Sequence, residues 1–283
     1  MKRWHYLVIL LAAAALAAIL MFSNRPARTS GGIVSLAPSV TEILFELGLG
    51  GQITGDTDYC DFPAQAKSLP HVGRFGDPDM ERLLATRPRL VITTDLRRKT
   101  DADQLRQAGI EVLVVKIASV KDLQAAIEQI GKATAHAEQA AALVQRLQNE
   151  FSAAAARFKD VPRERRPRVY FELSGSPIMT VGGPSFVNEV IELAGGVNAA
   201  AGLNVEWPKV DAETVIAWNP DVIVLGYMDS GASQALAGRI GWAGINAIKN
   251  GRVIADISPD LLLRPGPRLA MGVSELSGRL YPK

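Results

Sequence analysis

The chain has 283 residues, of which 48% are hydrophobic, so it can bury two cores of ordinary domain size and is not a disordered protein. Its formal net charge is +2, but four basic residues, Lys2, Arg3, Arg25 and Arg28, lie in a stretch that has no acidic residues. Setting those four charges aside turns +2 into −2, which excludes a basic face for binding nucleic acid.

Residues 1–30 have the pattern of a targeting segment. Lys2 and Arg3 precede an uncharged run, residues 4–24, that is rich in leucine, alanine and isoleucine, as export signals are. We therefore expect the protein in the periplasm. The run is long for a cleaved signal and no small-x-small site stands clearly at its end, so an uncleaved helix that anchors the protein to the inner membrane is the alternative. The segment has no cysteine, which excludes a lipid-modified N-terminus.

Residues 31–133 alternate strands with helices, which predicts an α/β lobe with a parallel sheet. The predicted elements are strands near 33–37, 90–94 and 112–116, an extended piece near 52–54, and helices over 38–48, over 101–108 and from about 119. Ser39 and Glu42 have the spacing of a capping box, and Asp79 is placed to cap the helix that contains Glu81. A long loop rich in polar and aromatic residues separates the two, and such loops usually carry function.

A single long helix is predicted over residues 134–159, within a linking segment that we place at 134–162. Its apolar residues recur at spacings of three and four, and Thr134 can cap its start, while Pro162 lies just past its end. About 25 residues at about 1.5 Å each span about 37 Å, the width of a domain. The helix is thus either a strut between two lobes or a long surface helix of one domain.

Residues 163–283 repeat the style of the first lobe. The predicted elements are strands over 169–173, 222–226 and 253–257, helices over 185–194, 211–218 and 267–280, and a long loop over 198–209.

The two halves also share a spacing. Phe75 is followed six residues later by Glu81, and Trp207 is followed six residues later by Glu213. In both halves a proline comes seven residues after the glutamate and leads into an apolar strand. We therefore predict an α/β fold of two similar lobes with mostly parallel central sheets, bridged by one long α-helix, with a ligand cleft between the lobes.

Motifs of common enzyme classes are absent. The chain has no Gly-x-Ser-x-Gly elbow, no Walker loop, no Gly-x-Gly-x-x-Gly after a strand and no His-Glu-x-x-His. His5, His71 and His136 are scattered, and Cys60, the single cysteine, lies beside Asp61, whose charge disfavours a thiolate. We predict a protein that is not an enzyme and has no catalytic residue and no metal site.

Aromatic residues mark the predicted loops at the carboxyl ends of strands, where open α/β sheets place ligands. They are Tyr59, Phe62, Phe75 and Trp207. Each of them could simply plug a sheet edge, but the shared register of Phe75 and Trp207 favours rings that grip a large flat apolar ligand from opposite walls. Glu81 and Glu213 either stabilise their helices through the helix dipole or dock on two arginine sites of a partner.

Four segments of the chain resemble the periplasmic substrate-binding proteins of ABC importers for vitamin B12. They are Tyr59–Pro63, Val72–Arg82, Val205–Pro208 and Arg264–Arg268. The resemblance covers roughly residues 32–282. It implies two α/β lobes bridged by one long helix that bends little on binding, and a periplasmic monomer that carries its ligand without a cofactor.

The resemblance also implies roles for individual residues. The protein is expected to capture cobalamin or a related corrinoid and to deliver it to an ABC-transporter permease. Ligand contacts are expected from Tyr59, Cys60, Phe62, Arg74, Phe75 and Trp207. Glu81 and Glu213 are expected to be the two permease-docking carboxylates.

Two departures keep other ligands open. Phe75 and Thr94 stand where the best-known cobalamin binder has tryptophans, so the aromatic wall is smaller here. Relatives on the same scaffold bind haem, for which Tyr59 or His71 could be an axial ligand, or ferric siderophores, for which Arg74 is the expected cation. A metal-dependent enzyme on a chelatase-like fold is a further alternative, and it lacks the histidine cluster that it would need.

Overall fold

A computed structural model describes residues 31–227 and 232–282. The predicted targeting segment, residues 1–30, lies outside the described residues. No helix within the described ranges is both long enough and apolar enough to span a membrane.

The first lobe contains a parallel sheet in the order β2-β1-β5-β6. Its strands are β1 (Ile33–Ser35), β2 (Ile53–Gly55), β5 (Leu90–Thr93) and β6 (Glu111–Val114), and a separate antiparallel ribbon is formed by β3 (Gly73–Arg74) and β4 (Asp77–Pro78). Its helices are α1 (Pro38–Glu46), α2 (Met80–Ala85), α3 (Lys99–Gln107) and α4 (Val120–Ala133). Strands β1 and β5 are fully buried, as expected for the centre of a parallel sheet covered on both faces.

The second lobe repeats this topology. Its strands are β7 (Arg168–Gly175), β8 (Ile178–Thr180), β9 (Val197–Asn198), β10 (Val222–Leu225) and β11 (Val253–Ile254). The parallel order β9-β7-β10-β11 matches β2-β1-β5-β6 of the first lobe, and β8 adds an antiparallel partner to β7. The prediction of two similar α/β lobes with mostly parallel sheets is confirmed.

The helices that link or cover the two sheets follow the same chain order. They are α5 (Ala137–Ala155), α6 (Phe186–Leu193), α7 (Ala212–Trp218), α8 (Ala232–Ala237), α9 (Asn246–Lys249), α10 (Pro259–Leu263) and α11 (Leu269–Leu280). Strand β11 has two residues where five, 253–257, were predicted, and helix α11 begins two residues later than predicted.

Matched caps begin the two helices that carry the repeated glutamates. The Asp79 carboxylate accepts hydrogen bonds from the amides of Glu81 and Arg82, both at 3.1 Å. The Asp211 carboxylate accepts one from the amide of Thr214 at 2.8 Å, and this bond lowers the pKa of Asp211. The repeated spacing in the sequence therefore reports a repeated local structure, an aspartate cap followed by a glutamate in the first turn.

The linking helix differs from its prediction at both ends. Helix α5 begins after His136, because Thr134 ends the preceding helix and donates its hydroxyl to the Ile130 carbonyl at 2.7 Å. It ends at Ala155, and the chain then turns so that Phe158 stacks on Tyr281 with ring centroids 5.7 Å apart. The helix has 19 residues, so it spans about 28 Å rather than 37 Å.

One apolar core continues through both lobes instead of two separate cores. It contains Ile33 and Val40 from the first lobe, Leu147 from α5, and Val169 and Phe171 from the second lobe, all buried. Smaller apolar clusters lie on the far face of each sheet. Because the linking helix is packed into the shared core, the lobes are held by burial as well as by the chain connection.

The predicted capping box at the start of α1 is wrong. Ala37 is the N-cap and makes no side-chain hydrogen bond to the helix. The carboxylate of Glu42 is buried and binds Arg264 and Arg268 instead. Glu42 has the sequence spacing to cap its own helix, but its carboxylate instead accepts hydrogen bonds from two arginines that are distant in sequence.

Candidate functional site: a cleft between the lobes

A cavity of about 940 Å³ lies between the two lobes. The first lobe contributes residues of the loops that follow β1, β2, β5 and β6, together with the β3–β4 ribbon. The second lobe contributes the start of α6 and the Glu206–Trp207 segment, and the C-terminal part of the chain contributes residues of α10 and the loop after it. We predicted a ligand cleft at the carboxyl ends of the strands, and the structure has a cavity there.

Three of the four predicted aromatic residues line this cavity. Tyr59 and Phe75 come from the first lobe and are 57% and 41% exposed, and Trp207 comes from the second lobe and is 37% exposed. Phe186 at the start of α6 meets the Trp207 ring edge-on, with centroids 6.2 Å apart and an interplanar angle of 76°. The cavity is thus bordered by aromatic rings from both lobes, and each ring keeps solvent-accessible surface that a ligand could contact.

The backbone around Trp207 is held against β8. The amide of Thr180 donates to the Pro208 carbonyl and the amide of Gly182 donates to the Glu206 carbonyl, both at 3.0 Å. A Cβ at Gly182 would come within 1.9 Å of the Val205 carbonyl oxygen, so only glycine allows this close approach. These contacts position Trp207 without using its own side chain.

Eight charged residues line the cavity. The cations are Arg74, Arg97, Lys116 and Arg264, and the carboxylates are Asp77, Asp95, Glu206 and Asp260. Within the described ranges, Asp77 pairs with Arg98 at 2.9 Å and Asp260 pairs with Arg264 at 3.0 Å. The lining residues that make no ion pair with any other described residue are Arg74, Arg97, Lys116, Asp95 and Glu206.

An ion cluster at the floor of the cleft joins the lobes. Arg264 binds Glu42 at 3.1 Å and Asp61 at 2.8 Å, and Arg268 binds Glu42 at 2.6 Å. Burial alone would raise the pKa of Asp61, but the hydrogen bond and charge of Arg264 outweigh it, so the pKa is lowered. Arg264 is therefore a cavity residue whose guanidinium is already occupied by carboxylates.

Two residues predicted to bind the ligand lie beside the cavity rather than in its lining. Cys60 is only 2% exposed, and its sulfur lies 3.1 Å from the Thr41 hydroxyl and 3.2 Å from the Thr57 hydroxyl. Burial raises the pKa of this thiol, as expected for a packed cysteine. Phe62 is 40% exposed, but its ring lies under the Arg268 guanidinium at 3.9 Å. Both residues flank the loop position of Tyr59, and neither belongs to the cavity lining, so their direct contact with a ligand stays a prediction.

His71 also lies outside the cleft. Its Nδ1 is 2.7 Å from Oδ1 of the buried Asp56, and it borders a separate shallow pocket together with Arg82. Burial raises the pKa of Asp56 to about 6, although the hydrogen bond and charge of His71 act in the opposite direction. Of the two residues suggested as an axial ligand for haem, Tyr59 therefore lines the cleft and His71 does not.

Glu81 and Glu213 are exposed, each in the first turn of its helix and outside the cavity lining. Within residues 31–227 and 232–282, no group of three or more His, Cys, Asp or Glu side chains is arranged to hold a metal ion.

The cavity residues that the sequence prediction missed include Arg97, Lys116, Phe186 and Glu206. Arg97 follows the end of β5 and Lys116 follows β6, so both meet the criterion that selected the aromatic residues, namely a position just past a strand. Glu206 could have been found from the repeat, because it precedes Trp207 as Arg74 precedes Phe75. Phe186 opens α6, and its apolar character there is equally compatible with a core position.

Comparisons with known proteins agree with this architecture. The sequence profile of the family described as Periplasmic binding protein matches residues 33–259. A Bacillus subtilis (strain 168) protein, the uncharacterized ABC transporter substrate-binding lipoprotein YvrC, is 36% identical over 255 residues, which is 88% of this chain and 80% of that protein. The vitamin B12-binding protein of Yersinia pestis (strain Pestoides F) is 29% identical over 212 residues, 74% of this chain and 75% of that protein.

A solved structure is also similar. The periplasmic heme-binding protein RhuT from Roseiflexus sp. RS-1, in its apo form, superposes with a TM-score of 0.78 at 29% identity, and the match covers 89% of this chain and 98% of that one. The comparisons therefore include proteins named for two different macrocyclic ligands.

Proposed function

This chain belongs to the periplasmic binding protein family, and from this premise we propose that it captures cobalamin or a related corrinoid outside the cytoplasm and delivers it to an ABC-transporter permease. One relative is named as an ABC transporter substrate-binding lipoprotein and another as a vitamin B12-binding protein, and both names agree with a protein that binds and releases its ligand without changing it.

The observation that carries this proposal is the set of aromatic rings that meet in one cavity. Tyr59 and Phe75 on one side and Trp207 on the other all keep exposed surface within about 940 Å³. That volume is near the upper end of the roughly 300–1,000 Å³ typical of ligand pockets, so the site suits a ligand larger than most metabolites. Rings on opposite walls suit a flat macrocycle, which they can contact on its faces and edges.

The chemistry around the cavity supports binding rather than catalysis. The thiol of Cys60 is buried between two threonine hydroxyls and has a raised pKa, so it is a poor nucleophile. His71 is held by Asp56 outside the cleft. Neither the thiol of Cys60 nor the imidazole of His71 is therefore presented to the cavity as a nucleophile or a base.

Delivery requires a surface that a permease can recognise. Glu81 and Glu213 occupy equivalent positions on equivalent helices, are exposed, and lie outside the cavity lining. We propose that each pairs with an arginine of the permease, one per lobe, so that charge pairing sets the orientation of the complex.

Titration with cyanocobalamin and with haemin tests the ligand. The protein is purified without ligand, and binding of each compound is followed by calorimetry and by absorption, since the two chromophores differ plainly. We expect a one-to-one complex with cyanocobalamin. Binding of haemin alone contradicts the corrinoid proposal and favours the alternative below.

Haem is the second candidate, and one residue favours it. Tyr59 lines the cavity and is 57% exposed, so its phenol oxygen is available to a ferric ion. The similar structure named for heme binding belongs to the same family of folds. Tyr59→Phe separates the candidates, because it removes the oxygen and keeps the ring. The haemin spectrum of this variant should lose its tyrosinate ligation, whereas its affinity for cyanocobalamin should stay within about tenfold of wild type, the loss of at most one neutral hydrogen bond.

A further inference from the structure

The two lobes match in their cleft aromatics and differ in the charges beside them. Arg74 precedes Phe75 in the first lobe, and Glu206 precedes Trp207 at the equivalent position of the second, and all four residues line the cavity. The repeat has therefore kept a ring on each wall and reversed the charge next to it. A cleft built in this way is polarised from one lobe to the other.

Two more cations extend the positive wall of the first lobe. Arg97 follows β5 and Lys116 follows β6, and these strands are neighbours, with Thr93 opposite Val114. The amide of Arg97 donates to the Gly76 carbonyl at 3.1 Å, which ties its loop to the turn that carries Phe75. Arg74, Arg97 and Lys116 thus come from three adjacent segments around one side of the cavity.

The ion pairs sort the lining cations into two groups. Arg264 is occupied by carboxylates from three residues. Arg74, Arg97 and Lys116 are exposed and make no ion pair with any residue in the described ranges. On the same wall Asp77 is paired with Arg98, which leaves Asp95 as the lobe's unpaired lining carboxylate. Three unpaired cations against one carboxylate leave this wall positive.

Taking the cleft as the ligand site, and so resting on the proposed function, we propose that the preferred ligand is a flat macrocycle with carboxylates on the edge that faces the first lobe. Arg97 and Lys116 bind those carboxylates and are specificity-determining residues. Glu206, on the other wall, disfavours the reverse orientation because a carboxylate there would meet like charge. Among corrinoids, the site selects those with free peripheral acids over those in which the acids are amides.

The test compares two corrinoids that share a ring and differ in peripheral charge. Dicyanocobyrinic acid carries carboxylates where dicyanocobinamide carries amides. Both are titrated calorimetrically into wild type, Arg97→Gln and Lys116→Gln, with haemin as a further carboxylate-bearing macrocycle. Lys132→Gln is the matched control, since Lys132 is an exposed lysine on α4 outside the cavity lining. Melting curves establish that each variant is folded.

We expect wild type to bind the acid more tightly than the amide, with a preference that shrinks as salt is added. Each glutamine variant should weaken acid binding about fivefold, between the effect of an exposed ion pair and that of a charged hydrogen bond, and should weaken amide binding by a clearly smaller factor. The Lys132→Gln protein should match wild type for both compounds.

The remaining outcomes separate this inference from the proposed function. If dicyanocobyrinic acid and dicyanocobinamide bind equally well, and neither glutamine variant changes this, the polarised cleft is overturned while the proposed corrinoid-binding function stands. Binding of haemin alone, weakened in both variants, overturns the corrinoid assignment and supports the polarised cleft. Binding of haemin alone with no effect of the variants overturns both.

Discussion

Replacing Trp207 by alanine should weaken ligand binding by a predictable amount. Trp207 is 37% exposed, and a tryptophan has about 250 Å² to bury, so a ligand that covers the ring buries about 90 Å² of it. At about 25 cal/mol per Å² this amounts to about 2 kcal/mol, or about thirtyfold in the dissociation constant. Loss of the edge-on contact with Phe186 should also cost about 1 kcal/mol of stability and lower the Tm by about 2–4 °C.

Calorimetric titration with cyanocobalamin and a melting curve measure the two effects separately. Trp207→Phe should lose less affinity than Trp207→Ala because it keeps a ring at the cleft. Met271→Ala is the control, since Met271 is 52% exposed and lies outside the cavity lining, and its affinity should equal that of wild type. If Trp207→Ala keeps the wild-type dissociation constant and only melts earlier, the ring merely plugs the second lobe and the reasoning is refuted.

Four further outcomes are expected. Glu81→Ala and Glu213→Ala should leave ligand affinity intact and weaken transport, the double variant more than either single one; equal loss of ligand affinity in both would place them in the site instead. Glu42→Ala should destabilise the protein by about 3 kcal/mol, measured by denaturant unfolding, because two partly buried arginines lose the buried carboxylate that they share. The pKa of Asp56 is about 6 in the folded protein, above its ordinary 3.8, so the folded state holds the proton more tightly and its stability should rise as pH falls from 8 towards 5; Asp56→Asn should flatten that dependence, and parallel melting profiles would contradict it. Structures with and without ligand should show only a slight rotation between the lobes, because helix α5 links them rigidly. A wide domain closure would refute this role of α5.

Features governed by neighbouring residues were predictable from the sequence. The aspartate caps at Asp79 and Asp211 depend on a carboxylate two or three residues before a backbone amide, and both are present. Strands β5 and β10 were predictable because central strands of a parallel sheet are buried on both faces and therefore appear in the sequence as short apolar runs. The shared spacing of Phe75 and Trp207 placed both residues at one cavity, because a repeated local fold carries its loops to equivalent positions.

Features decided by distant partners were not predictable. Glu42 has capping-box spacing, yet it pairs with Arg264, which lies 222 residues away in sequence. The break before α5 has a similar origin. Ala135 adopts a positive φ of 60°, and a Cβ at Gly131 would lie 2.4 Å from that of Ala140, so a close packing of α4 on α5 takes precedence over helix continuity. No periodicity in the sequence contains that information.

The ties between the lobes bear on how the protein selects its ligand. A core shared by both lobes, helix α5 within it, and the pairing of Glu42 with Arg264 across the cleft floor all oppose a wide hinge motion. A binding protein that closes widely can assemble part of its site after the ligand arrives, whereas a stiff one must present its site in advance. A preformed cleft costs little ordering entropy on binding, but it can discriminate only through groups already in place. We therefore expect ligand selectivity to depend on the rings of Tyr59, Phe75 and Trp207 and on the unpaired charges beside them.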